Sequence, residues 1–150
     1  DCERSFLLGI LKGMDTETLT RFLLAWQAQD WSAMAALTQI TWRSKHADPA
    51  ATLKQLYELK RLERFEIQPY KPISPAASRI PVVVKYRVAS AKGFGRSRLQ
   101  SAQILAMVIC ESAPYQPKSS GVWGVNPIST IRMGTARSDR KARNQVTKQI

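Results

Sequence analysis

A break between two helices at Gln29-Asp30 is the feature that most limits how this chain can fold. Apolar residues on both sides of the break recur at the spacing of helices with one buried face, and Trp26 and Trp31 flank it. The Asp30 side chain can accept hydrogen bonds from the free amides of a first helical turn, so we predict that it caps the following helix and is not a pocket acid. Two consecutive one-sided helices need a second layer to cover them.

The segment before this pair predicts a separate short helix. Apolar residues in 3–12 fall on one side at helical spacing, and Gly13 is the predicted stop. We therefore expect a new helix to begin at Asp15 or Thr16, where either side chain could serve as its cap.

A further helix is predicted to begin at Asp48-Pro49, because aspartate suits the cap and proline suits the first helical position. Its apolar side is expected to run from Leu53 to Leu62. Its charged side is expected to reach Arg64, and the helical period ends at Phe65.

After Phe65 the pattern becomes that of strands. Prolines in this region exclude helix and should confine any strand that contains one to an edge or a bulge: Pro69, Pro72, Pro75 and Pro81. The segment Val82–Val88 alternates, which places Lys85 and Arg87 on the side opposite its valines. Two more strands are predicted, Arg98–Cys110, whose second half looks buried on both sides, and Val122 to about Met133.

Helices followed by antiparallel strands indicate an α+β domain over residues 1–133, with a polar, basic tail over 134–150. The chain has 44% apolar residues, enough for a sizeable core. No apolar run approaches the roughly 18 residues that span a bilayer.

The net charge of +12 arises entirely in the second half of the chain. Residues 1–66 hold nine acidic and nine basic side chains, whereas residues 67–150 hold fourteen basic and two acidic ones. Such an oriented positive field favours an anionic partner. We expect an acidic protein surface or an anionic membrane, with nucleic acid as a further alternative and plain solubility as the simplest reading.

The helix junction Ala25–Trp31 and the segment Gly121–Pro127, with Trp123 at its centre, resemble the nuclear-transport-factor-2-like superfamily over about residues 15–133. The similarity is nearest to extracytoplasmic members such as the N-terminal domain of some penicillin-binding proteins. The resemblance implies a strongly bent antiparallel sheet with the N-terminal helices in its concave face. It also implies that dimerisation through the open sheet face is common.

Members of this superfamily include enzymes, scaffold modules and assembly factors, so the resemblance leaves function open. Its enzymes usually hold a His–Asp pair or a lone Asp inside the cone. The predicted strands contain only Glu111 and no histidine, and His46 lies in a basic loop. We therefore predict no catalytic residue, no metal and no cofactor, and keep a ligand-binding or lyase/isomerase-like enzyme as the alternative.

Two basic elements are predicted to carry binding. Strand alternation and a hairpin turn at Gly93–Gly95 would gather one set on a single sheet face: Lys85, Arg87, Arg96 and Arg98. The second set lies in the tail: Arg137, Arg140, Lys141 and Arg143. As fixed positive charges, both should bind more weakly as salt rises.

Aromatic residues offer a different candidate site inside the cone. A small apolar pocket there would be lined by Trp26, Trp31, Tyr57 and Trp123, although tryptophans also make good core. Cys110 is predicted to be a buried thiol, with a disulfide to Cys2 as the alternative. Because the chain begins without methionine, we expect a membrane-associated or extracytoplasmic location, as part of a larger protein.

Overall fold

A computed structural model of the chain describes residues 2–89 and 97–131, with side chains described for residues 13–89 and 97–130. The helices within this part are α1 (Cys2–Ala28), α2 (Trp31–Ala36), α3 (Ile40–Ser44), α4 (Pro49–Tyr57) and α5 (Pro127–Ile131). The strands are β1 (Lys60–Ile67), β2 (Ala77–Val88), β3 (Gln100–Ala113), β4 (Gln116–Pro117) and β5 (Val122–Val125). None of these helices combines the length and apolar character needed to cross a bilayer.

The sheet is antiparallel and curls into a half-barrel that the helices contact, which confirms the predicted α+β class. Strands β1, β2 and β3 are neighbours in that order, and both β4 and β5 pair with the second half of β3. The inner side of the sheet packs against α1, α2 and α4 to form the core, and the outer side faces solvent. Phe22, Met34 and Val84 are among its fully buried members.

The predicted stop at Gly13 is wrong, because α1 runs without interruption from Cys2 to Ala28. A single glycine costs a helix about 0.5–1 kcal/mol but does not end it unless the backbone turns left-handed. Asp15 is consequently an interior helical residue and caps nothing. Its side chain accepts a hydrogen bond from the Ser78 hydroxyl on β2 at 2.6 Å.

The break at Gln29-Asp30 is confirmed. Gln29 adopts a left-handed φ of 56°, and the Asp30 carboxylate accepts a hydrogen bond from the Ala33 amide at 3.1 Å. The start at Asp48-Pro49 is confirmed in the same way, because Asp48 accepts from the Ala51 amide at 3.1 Å.

Helix α4 ends earlier than predicted, at Tyr57, and Leu62 and Arg64 belong to strand β1. Leu62 is buried because it lies opposite Tyr86 on the inner side of the sheet, not on a helix face. A bulge between Leu62 and Arg64 hides the strand alternation in the sequence, which explains the error.

Pro81 contradicts the rule that placed it at an edge, because it lies within the central strand β2, opposite Leu105 of β3. Its carbonyl accepts a hydrogen bond from the Gln68 amide, just beyond the end of β1. The backbone N–H and C=O of a strand residue point to the same neighbouring strand, so an N–H at position 81 would also point toward Gln68. Strand β1 ends at Ile67, so the N–H that proline lacks costs no hydrogen bond between β1 and β2.

Strand β3 begins at Gln100 instead of Arg98 and extends to Ala113. Its inner residues are buried as predicted, but its outer face is not, since Leu105 is 52% exposed. The last strand is also shorter than predicted. It ends at Val125, because Asn126 bonds through its side chain to the Ile128 amide at 3.0 Å and starts α5 at Pro127.

Candidate binding surface on the outer face of the sheet

Four basic side chains lie together on the outer side of β1 and β2, and we call this set the outer basic face: Arg61, Arg64, Lys85 and Arg87. Arg61 stands opposite Arg87, and Arg64 stands opposite Lys85. Side chains directly opposite in an antiparallel pair have Cβ atoms about 4.5–5.5 Å apart. The register therefore brings like charges together twice, at successive pairs on the outer side of the sheet.

Two acidic residues of β1 interleave with these cations. Glu63 occupies the bulge, and its carboxylate lies 3.4 Å from the Arg87 Nε. Arg87 also donates from Nη1 to the Ser97 carbonyl at 2.5 Å, so its guanidinium is held in place on two sides. Glu66 lies opposite Val83, two positions beyond the Arg64–Lys85 pair and on the same side of the sheet.

An open depression of about 210 Å³ lies at the second like-charge pair, between β1 and β2. Its lining consists of Arg64, Phe65, Glu66, Val83 and Lys85. Lys85 and Arg64 are both exposed there. The depression thus combines two cations, one carboxylate and two apolar side chains.

The predicted basic patch is brought together only in part. Lys85 and Arg87 share the outer face as expected, whereas Arg98 is exposed in the segment before β3 begins and has no ladder position. Arg96 lies outside the described residues, as do the tail residues Arg137, Arg140, Lys141 and Arg143. Arg61 and Arg64 were missed because their segment was assigned to a helix.

The aromatic residues proposed for a pocket pack into the core on the inner side. Trp26 and Tyr57 are about 1% exposed, and their ring centroids lie 5.0 Å apart. Trp31 and Trp123 are partly buried against the same cluster. The polar atoms are also used, since the Trp26 Nε1 donates to the Lys60 carbonyl at 2.9 Å and the Tyr57 hydroxyl to the Pro127 carbonyl at 2.9 Å.

A polar cluster that sequence reasoning did not find joins α1 to β2 and the segment before it. Buried Asp15 accepts from the Ser78 hydroxyl at 2.6 Å, and the hydroxyls of Thr16 and Tyr70 lie 2.6 Å apart. Burial raises the pKa of Tyr70, the bond to Thr16 lowers it in part, and the Asp15 carboxylate raises it further. This cluster sets a carboxylate beside a phenol at the rim of the core.

His46 and Cys110 take structural positions. The His46 ring lies against Trp42, with centroids 4.3 Å apart. Cys110 is a free, buried thiol, and burial raises its pKa. The Cys2 side chain lies outside the described residues.

No family model and no curated protein matches the chain. Among solved structures, Aln2 from a Streptomyces species aligns with a TM-score of 0.42 and 10% identity, over 77% of this chain and 89% of Aln2. The structure has the curled antiparallel sheet with packed helices that the predicted resemblance implies.

Proposed function

We propose that this chain is a non-catalytic binding or assembly module whose outer basic face contacts an acidic protein surface. It would act within a larger, membrane-anchored protein or complex, as in the extracytoplasmic superfamily members it resembles. The observation that carries the proposal is the tandem of like-charge pairs, Arg61 with Arg87 and Arg64 with Lys85. Like charges directly opposite each other destabilise a sheet. An anion bound between them attracts both cations and so offsets their repulsion.

The interleaved carboxylates favour a protein partner over a phosphate polymer. Glu63 and Glu66 lie among the four cations, and Glu66 lines the depression beside Arg64 and Lys85. A uniformly anionic surface such as nucleic acid or a lipid headgroup layer would meet these carboxylates with repulsion. A protein surface of mixed charge can set a carboxylate at each cation and a basic side chain at each glutamate.

The test compares two charge reversals that change the net charge equally. In one variant Arg64 and Lys85 become Glu; in the control, exposed Lys54 of α4 and exposed Lys118 become Glu. Binding is measured in a salt series against polyglutamate peptide, anionic phosphatidylglycerol vesicles and DNA. We expect polyglutamate binding that weakens with salt, is lost in the Arg64/Lys85 variant and is kept in the control.

Equal binding by both variants would refute the assignment to the outer basic face. Retention on DNA alone or on vesicles alone would replace the acidic-protein partner with that class of surface. Once polyglutamate binding is localised, cross-linking from residue 64 or 85 in the native host identifies the partner.

A second candidate function, a ligand-binding or lyase/isomerase-like enzyme, would use the polar cluster at the rim of the core. The Asp15–Tyr70 neighbourhood favours it, because a buried carboxylate lies beside a phenol there, and acid–base enzymes use such groups to transfer protons. A thermal-shift screen of small carbonyl compounds on the wild type and Asp15→Asn tests it. A compound that stabilises only the wild type supports this candidate, and a screen without any such compound removes it.

A further inference from the structure

The two long edges of the sheet differ in how they are protected. An exposed edge strand presents unpaired backbone groups that another strand can join, and charges, bulges or covering side chains usually prevent this. Edge strand β1 has all three protections. Helix α1 supplies Trp26 and Gln27, whose side chains donate to the Lys60 carbonyl at 2.9 Å and the Glu63 carbonyl at 2.8 Å. The strand also carries a bulge and five charged residues.

The first half of β3 forms the other edge. The Cys110 amide bonds toward β2, and the Met107 carbonyl and amide bond away from it, to the Asn126 amide and the Ser129 hydroxyl. Backbone groups alternate in direction along a strand, so those of Ser101, Gln103 and Leu105 also point away from β2. Within the described residues, no strand pairs with β3 on that side before Val108.

Within the part of the chain that the structure describes, this edge lacks the protections found at β1. Residues 100–110 contain no charged residue, proline or glycine, in a chain with a net charge of +12. Ser101, Gln103 and Leu105 are all exposed, Leu105 by 52%. Their side chains are neutral and point to the outer side of the sheet. A neutral strand edge of this kind is suited to pairing with another neutral strand.

We propose that a second copy of this chain pairs with it along this edge, antiparallel and centred on Gln103. In that register Gln103 lies opposite its counterpart, and Ser101 of each copy lies opposite Leu105 of the other. The backbone groups that point away from β2, at Ser101, Gln103 and Leu105 of each copy, then form about six hydrogen bonds between the copies. The two half-barrels form one continuous sheet, which is an edge-to-edge arrangement and not a face-to-face one.

A second copy suits this edge better than an acidic partner does. The edge itself offers no cation to an acidic strand, whereas it is complementary in size and polarity to itself. Exposed Arg98 lies just before β3, and its two copies would stand at opposite ends of the seam because the paired strands are antiparallel. The other nearby basic residues lie on β2, and the two β2 strands of the dimer would be about 14 Å apart, three strand spacings. That distance exceeds the Debye length of about 8 Å at physiological salt, so the net positive charge does not prevent association.

The test is the dimer dissociation constant of the full chain, measured by sedimentation equilibrium. Leu105→Lys places a charge on the edge, and Gln103→Pro removes an outward-pointing amide while leaving the bonds to β2 intact. The control Ile73→Lys adds the same charge at a residue that is 58% exposed in the connection between β1 and β2. We expect each edge variant to raise the dissociation constant about tenfold or more, and the control to leave it unchanged.

A covalent test locates the contact independently of those variants. Residues opposite each other in a hydrogen-bonded antiparallel pair have Cα atoms about 5.5 Å apart, which a disulfide can span. Gln103→Cys should therefore form a disulfide between residues 103 of two copies on mild oxidation, identified by peptide mapping, and Ser112→Cys should not. A wild type that stays monomeric, or a dimer unaffected by both edge variants, would overturn the proposal. Polyglutamate binding is measured in a separate experiment, so the dimer proposal and the proposed binding function can each fail without the other.

Discussion

The hydroxyl of Tyr57 at the end of α4 donates a hydrogen bond to the carbonyl of Pro127 at the start of α5, at 2.9 Å. It also bonds to the Thr130 hydroxyl, and both partners lie in the core. We expect Tyr57→Phe to lower the free energy of unfolding by about 0.5–1.5 kcal/mol, because the hydrogen bonds of the phenol are lost while the Thr130 hydroxyl still donates to the Pro127 carbonyl. Urea unfolding at neutral pH measures this, and an unchanged midpoint would contradict it.

The same phenol predicts a loss of stability in alkali. Burial raises the pKa of Tyr57, and its bond to Thr130 lowers that pKa only in part. The folded protein holds this proton to a higher pH than the unfolded chain does, so the free energy of unfolding is unaffected below about pH 10 and falls as the pH rises from there.

The Phe variant isolates this effect from other groups. Burial also raises the pKa of Tyr86 and lowers that of Lys60, which acts in the opposite direction. We expect the wild type to lose up to about 1.4 kcal/mol per pH unit more than Tyr57→Phe above pH 10. Parallel stability curves for the two proteins would show that Tyr57 ionises normally.

Two glycines should respond oppositely to alanine. A Cβ at Gly124 would lie 2.5 Å from the Thr38 carbonyl oxygen, where β5 approaches the connection between α2 and α3. A Cβ at Gly13 meets nothing within 4 Å. We expect Gly124→Ala to destabilise the protein by about 1–3 kcal/mol and Gly13→Ala to stabilise it by about 0.5–1 kcal/mol. Thermal unfolding of both variants checks the signs, and equal shifts would contradict this reading.

The Asp15–Ser78 bond should appear as a coupling energy. A double-mutant cycle of Asp15→Ala and Ser78→Ala should give about 0.5–3 kcal/mol, because the two side chains form a buried bond. Ser44→Ala is a suitable control, since its hydroxyl bonds to the Thr41 carbonyl instead. If the changes in the free energy of unfolding were additive in both cycles, the Asp15–Ser78 bond would make no measurable contribution to stability.

Local chemistry made some elements predictable. Asp30 and Asp48 were recognisable as caps because capping depends on a few adjacent residues, and the alternation of β2 identified Lys85 and Arg87 as face partners. Other features depend on contacts distant in sequence. Helix α1 continues through Gly13, and Asp15 just beyond it bonds to Ser78 of β2 instead of capping a new helix.

The bulge and the sheet register also lay beyond sequence reasoning. Arg61 and Arg64 join the outer basic face only because β1 pairs with β2, and the bulge at Glu63 masks the period that would have indicated a strand. Pro81 is tolerated in a central strand because β1 happens to end beside it. Neither fact is encoded within a few residues.

The packing of α1 against β5 has a consequence for biosynthesis. The apolar face of α1, with Phe22 and Trp26, is completed by residues made about a hundred positions later. At roughly 5–20 residues per second, that face waits about 5–20 s on the ribosome before Val125 emerges. During this interval the nascent helix exposes its apolar side, and a chaperone that shields amphipathic helices would find its target there.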